Sequence, residues 1–187
     1  MDLIDAAKNN DIRLVQELLD SGEDINFQNR NGWTALIRAT AKGYTKIVRL
    51  LLEKRADPNL RDRDGTTALM MASFHENTEL VRLLLEKGAN PNLKDITGQT
   101  ALIIATSMGY VDIVRLLLER GADPNIKNDD GDTALMMASA WGNTEIVRLL
   151  LENGANVNIR DNDGDTALGL ALTRGYTDIA ELLELYI

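Results

Sequence analysis

The sequence has no cysteine, a single histidine and only 4% aromatic residues among 187. Without cysteine there are no disulfides and no thiolate chemistry. That fits a reducing compartment, and a cytoplasmic location is expected. With His75 as the one histidine, His-based metal clusters and triads needing a second histidine are excluded. No GxxxxGK followed by Ser or Thr is present, and no GxGxxG, so no phosphate-cradling loop is read. Neither a catalytic constellation nor a cofactor site is expected. The opening MDLIDAAKNN has no basic segment leading into an apolar run, so no secretory signal is read. No apolar run approaches the roughly 18 residues that cross a bilayer. Net charge is −9. A negative field disfavours phosphate backbones and anionic membranes and favours solubility. Neither nucleic acid nor membrane is an expected partner.

The chain does have a repeat. Residues 70–80 read MMASFHENTEL and residues 136–146 read MMASAWGNTEI, two 33-residue steps apart. Gly-x-Thr-Ala-Leu begins at Gly32, Gly65, Gly98, Gly131 and Gly164, always at steps of 33. IVRLLLE or LVRLLLE follows at 47–53, 80–86, 113–119 and 146–152, and IAELLEL at 179–185. ADPN, ANPN, ADPN and ANVN close the units at 56–59, 89–92, 122–125 and 155–158. Leu3, Leu14-Val15 and Asp24-Ile25-Asn26 hold the same register at the start. One domain, 1–187, of six units is expected: about 1–28, 29–61, 62–94, 95–127, 128–160 and 161–187.

Each unit spells two short helices and a hairpin-like loop. Thr34, Thr67, Thr100, Thr133 and Thr166 suit N-caps, where a hydroxyl accepts from a first-turn amide. Ile47, Leu50, Leu51 and their equivalents make an apolar stripe at i, i+3, i+4. The Asp/Asn/Gly-rich segments between units are turn chemistry. Two positions depart from the pattern. Glu76 replaces the inter-helix Gly, and Arg55 stands where Gly88, Gly121 and Gly154 end the second helix. Both turns call for positive φ, which costs a non-Gly residue on the order of 1 kcal/mol. No unit buries its apolar face alone, so the units must stack around a continuous core of Leu, Ile, Val, Ala and Met.

The 33-residue step, TALxxA, the inter-helix Gly, V-x-LLL and Gly-Ala-Asp/Asn-x-Asn together resemble ankyrin repeats over essentially the whole chain. The resemblance implies an all-α repeat solenoid, a stack of helix-turn-helix units joined by β-hairpin-like loops. The family's TPLHxA is altered in two places. Its Pro is Ala here, a good helix former. Its His is Ile37, Met70, Ile103, Met136 or Gly169, where apolar packing would replace a side-chain hydrogen bond.

The resemblance also implies non-catalytic protein binding through a concave groove of first helices and hairpin tips. Carried over by position, the candidates are Trp33, Thr66, Gln99 and Asp132 at the tips and Arg63 and Ile96 just before them. Phe74, His75, Met108 and Trp141 stand at first-helix ends. These vary between units while the frame does not. Trp33, Phe74, Met108 and Trp141 read as groove anchors, of the kind that dominate protein interfaces, or as a cover for the rim of the core.

Several readings stay open beside this one. The near-identical frames also suit an engineered or consensus-derived scaffold, whereas Phe74, His75, Glu76, Arg55 and Ile96 are irregular. An enzyme or a calcium-regulated protein is the remote reading. NDDGD at 128–132 and DNDGD at 161–165 are acidic, but Ile126 and Ile159 take the first ligand position of a calcium loop. Arg61, Lys94, Lys127 and Arg160 recur beside these acids and are expected to offset them. Tyr44, Tyr110 and Tyr176 alternate with Asn77 and Asn143, which suggests a Tyr–Asn hydrogen-bond ladder. The first unit reads as a polar cap. The last exposes Leu172, Leu185, Tyr186 and Ile187, so self-association there, packing on the chain's own stack, or a longer parent chain are all consistent. A monomer is otherwise expected.

Overall fold

The computed structural model describes residues 2–187. Twelve helices form among them. They fall into two compact units, residues 1–96 and 97–187.

In the first unit α1 (Leu3–Lys8), α3 (Ala35–Ala41) and α5 (Ala68–Phe74) alternate with α2 (Ile12–Asp20), α4 (Thr45–Glu53) and α6 (Thr78–Glu86). First helices pack on first helices, α1 on α3 and α3 on α5, while α4 touches α2 and α6. Leu36, Ile37, Ala39, Leu51, Leu69, Met70 and Leu84 are buried between these layers. Ala39 and Ala72 allow the approach: neither exposes any surface.

The second unit repeats the plan. Its first helices are α7 (Ala101–Ser107), α9 (Ala134–Ala140) and α11 (Ala167–Arg174). Its second helices are α8 (Val111–Glu119), α10 (Thr144–Glu152) and α12 (Thr177–Glu184). Leu102, Ile103, Ala105, Leu117, Met136 and Ala138 fill its core.

The threonine N-caps form as the sequence requires. Thr34, Thr67, Thr100, Thr133 and Thr166 each accept from the amide three residues on. At Met70 and Met136 the packing is not purely apolar. Each sulfur accepts from the amide of its own cap, Thr67 at 3.5 Å and Thr133 at 3.4 Å. Both cap residues are buried, so the sulfur satisfies an amide that water cannot reach.

Arg55 and Glu76 do adopt positive φ, +69° and +56°. Asn10, at the place equivalent to Glu76, has φ +60°. Arg55 is exposed and its turn is otherwise that of Gly88. Arg55→Gly is therefore expected to raise the melting temperature, gaining on the order of 1 kcal/mol or less. Differential scanning calorimetry checks this, and an unchanged or lower midpoint would show that the turn holds Arg55 without strain.

Candidate functional site

Between helix pairs the chain makes a tight loop that reaches its neighbour in register. Asn29, Asp62, Asn128 and Asp161 each fold a side chain back over the tip. Their Oδ1 atoms accept from Trp33, Thr66, Asp132 and Asp165 amides at 3.1, 2.8, 2.8 and 2.8 Å. Neighbouring tips then join through the backbone. The Arg63 amide donates to Asn31 and the Ile96 amide to Asp64; in the second unit Asp129 donates to Thr97 and Asn162 to Asp130. The tip residues are thus fixed in a row within each unit, with their side chains free to vary.

The recurring cations behave differently from expectation. Arg61 donates to the Lys94 and Gly65 carbonyls. Lys127 reaches the Arg160 carbonyl at 2.8 Å, and Arg160 the Gly164 carbonyl at 2.6 Å. Arg61 and Lys127 tie hairpin to hairpin and Arg160 closes its own hairpin, and none of the three makes an ion pair with an aspartate among the described residues. The Tyr–Asn ladder is also absent among the described residues. Asn77 Oδ1 instead caps α6 through the Leu80 amide at 3.1 Å. The Tyr176 ring lies against Gly142, where a Cβ would come within 2.5 Å of it.

On the first unit's face of first helices and tips, Phe74 is 51% exposed. Its ring meets His75 edge-on at 5.2 Å. Trp33 is only half-buried and lies under the Arg38 guanidinium, 4.1 Å from the ring centroid. Arg63 and Ile96 are exposed beside tip residue Thr66, which is half-buried. On the second unit Met108 is 44% and Trp141 58% exposed, while Gln99 and Asp132 are half-buried. The ends of the first helices share one local design. Lys42, His75, Met108 and Trp141 are the C-cap residues of α3, α5, α7 and α9. A C-cap side chain leaves the helix as the backbone turns away, so the frame places no packing demand on it.

The Asp132 carboxyl is pushed above the usual range, first by its burial and then by Asp161, Asp130 and Asp163. These loops therefore hold repelling carboxylates. Among the described residues no three acidic or histidine side chains converge as metal ligands would. None of the described helices is long and apolar enough to cross a membrane. At the C-terminal end Leu172, Leu185, Tyr186 and Ile187 are exposed.

Paired short helices, Thr-capped first helices, positive-φ glycine turns and interlocked hairpin tips define an ankyrin architecture. The family profile "Ankyrin repeats (3 copies)" matches residues 3–95, 56–128 and 121–186. The chain belongs to the ankyrin repeat family, whose members are generally protein-interaction modules. It is similar to the crystal structure of an ankyrin repeat domain from Acinetobacter baumannii AYE, with a TM-score of 0.92 and 36% identity. That likeness covers 98% of this chain and 96% of the other. No curated protein sequence matches it.

Proposed function

We propose that this chain is a non-catalytic module that binds a protein partner through its first-helix ends and hairpin tips. The observation that supports this most is the C-cap series. The same structural position carries Lys42, His75, Met108 and Trp141 in turn, and the preceding place carries Phe74. A fold that demanded a particular residue there would repeat it, as it repeats Thr and Ala nearby. Large apolar side chains held half in water are what a desolvated interface uses as anchors. The proposal includes a monomeric, cytoplasmic protein, compatible with a cysteine-free chain of charge −9.

The test is affinity capture from a lysate of the source organism, wild type beside Phe74→Ala/Trp141→Ala. Circular dichroism first shows that both are folded. Both side chains are exposed, so the substitutions should leave stability nearly unchanged. A protein held by wild type and lost by the variant is the expected result. One held equally by both would move the interface to the second helices or to the exposed Leu172–Ile187 end. Nothing held by either would favour a scaffold without a natural partner.

A further inference from the structure

The charge of the chain is unevenly placed. Residues 97–187 carry 6 basic and 14 acidic side chains, whereas residues 1–96 carry 14 and 15. On the second-helix side of the first unit Arg49 pairs with Glu79 at 3.4 Å and Lys54 with Asp20 at 3.3 Å, while Arg13, Lys46 and Arg82 make no ion pair among the described residues. On the first helices and tips Arg30, Arg38, Lys42 and Arg63 make no ion pair among the described residues. Asp62 beside them is buried, and its Oδ1 is taken by the Asp64 and Thr66 amides. The exposed carboxylates next in the chain are Asp64 and Glu76.

We propose that this face of the first unit takes an acidic segment of a protein partner, with an apolar side chain of that segment seated against Phe74. The proposal rests on the protein-binding reading above and names the chemistry of the partner.

Two structural facts carry it beyond charge counting. First, Arg38 is held in place. Its guanidinium carbon lies 4.1 Å from the Trp33 ring centroid, a cation–π contact. Its N–H groups make no hydrogen bond or ion pair among the described residues, and a guanidinium's N–H groups are what meet a carboxylate in a paired geometry. An arginine held over a ring loses less freedom on binding than a free one. Second, the frame does not require cations here. Two repeat steps on, Asp129 replaces Arg63; the later equivalents of Arg38 and Lys42 include Met137 and Trp141. Those residues sit in the same helices and tips, so the fold is satisfied without positive charge. Cations retained unpaired in a chain of charge −9 answer to something other than packing.

A protein segment fits better than a nucleic acid. Four cations and one exposed aromatic on the first helices and tips make a small mixed patch, and a phosphate backbone needs a broader basic stripe than such a chain offers.

The test is fluorescence polarisation with the full chain and three labelled probes. These are a short peptide of Asp and Glu around one Leu and one Phe, its Lys-substituted counterpart, and single-stranded oligo-dT. Two variants are compared with wild type: Arg38→Glu/Lys42→Glu/Arg63→Glu, and the control Lys46→Glu/Arg82→Glu on the second helices of the same unit. Circular dichroism confirms that all are folded. The acidic peptide should bind and weaken as salt is raised. The triple variant should weaken it at least tenfold, and the control less than twofold. No binding of the acidic peptide up to millimolar protein overturns the proposal. So does equal loss in both variants, equal or tighter binding of the Lys peptide, or tighter binding of oligo-dT. A partner captured through Phe74 and Trp141 yet indifferent to the triple variant would leave the protein-binding function standing and refute only its acidic chemistry.

Discussion

Gly131→Ala is expected to destabilise the second unit by about 3 kcal/mol, whereas Gly154→Ala should cost only about 1 kcal/mol. Both glycines hold a left-handed backbone, φ +87° and +83°. They therefore share the strain that any L side chain meets there. They differ in surroundings. A Cβ on Gly154 would find nothing within 4 Å. A Cβ on Gly131 would stand 2.7 Å from both the amide nitrogen and Oδ1 of Asn162, and 2.9 Å from the Asp161 carbonyl carbon. Most of these atoms are backbone in the next hairpin and cannot swing aside. Relief requires the two tips to part. Parting breaks the Asn162 amide's bond to Asp130 and its side-chain bond to the Asp129 carbonyl, 3.1 and 2.8 Å long. Each is a net contribution of about 1 kcal/mol, added to the backbone strain. Urea unfolding of the two variants, followed by circular dichroism, measures the difference. Equal losses would show that contact between hairpin tips adds nothing to stability.

That contrast marks what could be read from the sequence. Where a demand is local, the residue states it. Thr before Ala-Leu reads as an N-cap because the bond it makes closes within three residues. Arg55 and Glu76 were legible as positive-φ positions because glycine fills the same place elsewhere. The stripe Ile47, Leu51 reads as buried because each copy meets the same neighbours. Where the demand is set by the next repeat, the sequence is ambiguous. A period of 33 shows that Gly32, Gly98 and Gly131 recur, but not that backbone from the following hairpin fills the space beside them. The recurring Arg61 and Lys127 were read against the nearest charges in the chain. Their partners are carbonyls 33 residues away, at Lys94 and Arg160. Of the candidate surface, Phe74, Met108 and Trp141 were legible as exposed large groups. Trp33 was not legible as half-buried, since its cover is Arg38, five residues on in the following helix, and spacing alone does not tell a guanidinium held over a ring from a solvated one.

The other large effect is expected at an asparagine whose role no local pattern announced. Asn125→Ala should cost about 2 kcal/mol, and Asn158→Ala close to nothing. Both close the same four-residue motif, ADPN and ANVN. Asn125 bridges two units: its Oδ1 accepts from the Asn156 amide at 2.7 Å, and its Nδ2 donates to the Gly154 carbonyl at 3.1 Å. Asn59 makes the same pair of bonds to Asn90 and Gly88, at 2.7 and 3.1 Å. Gly154 and Gly88 follow helix ends, where carbonyls lack helical partners, so the amide nitrogen serves an otherwise orphaned acceptor. The neighbouring amide is equally short of partners, because its loop has no ladder to join. Alanine removes both bonds at once and leaves two backbone groups of the adjacent repeat to be rehydrated. Aspartate keeps the acceptor but turns a carboxylate oxygen towards the Gly154 carbonyl, so Asn125→Asp should not restore wild-type stability. Asn158 is exposed and its side chain has no hydrogen-bond partner among the described residues, which makes it the internal control for helix, loop and composition effects alike. Chemical denaturation of Asn125→Ala and Asn158→Ala side by side decides the matter. If the two lose the same stability, the asparagines serve their own loops, and the cohesion between repeats lies in the apolar core alone.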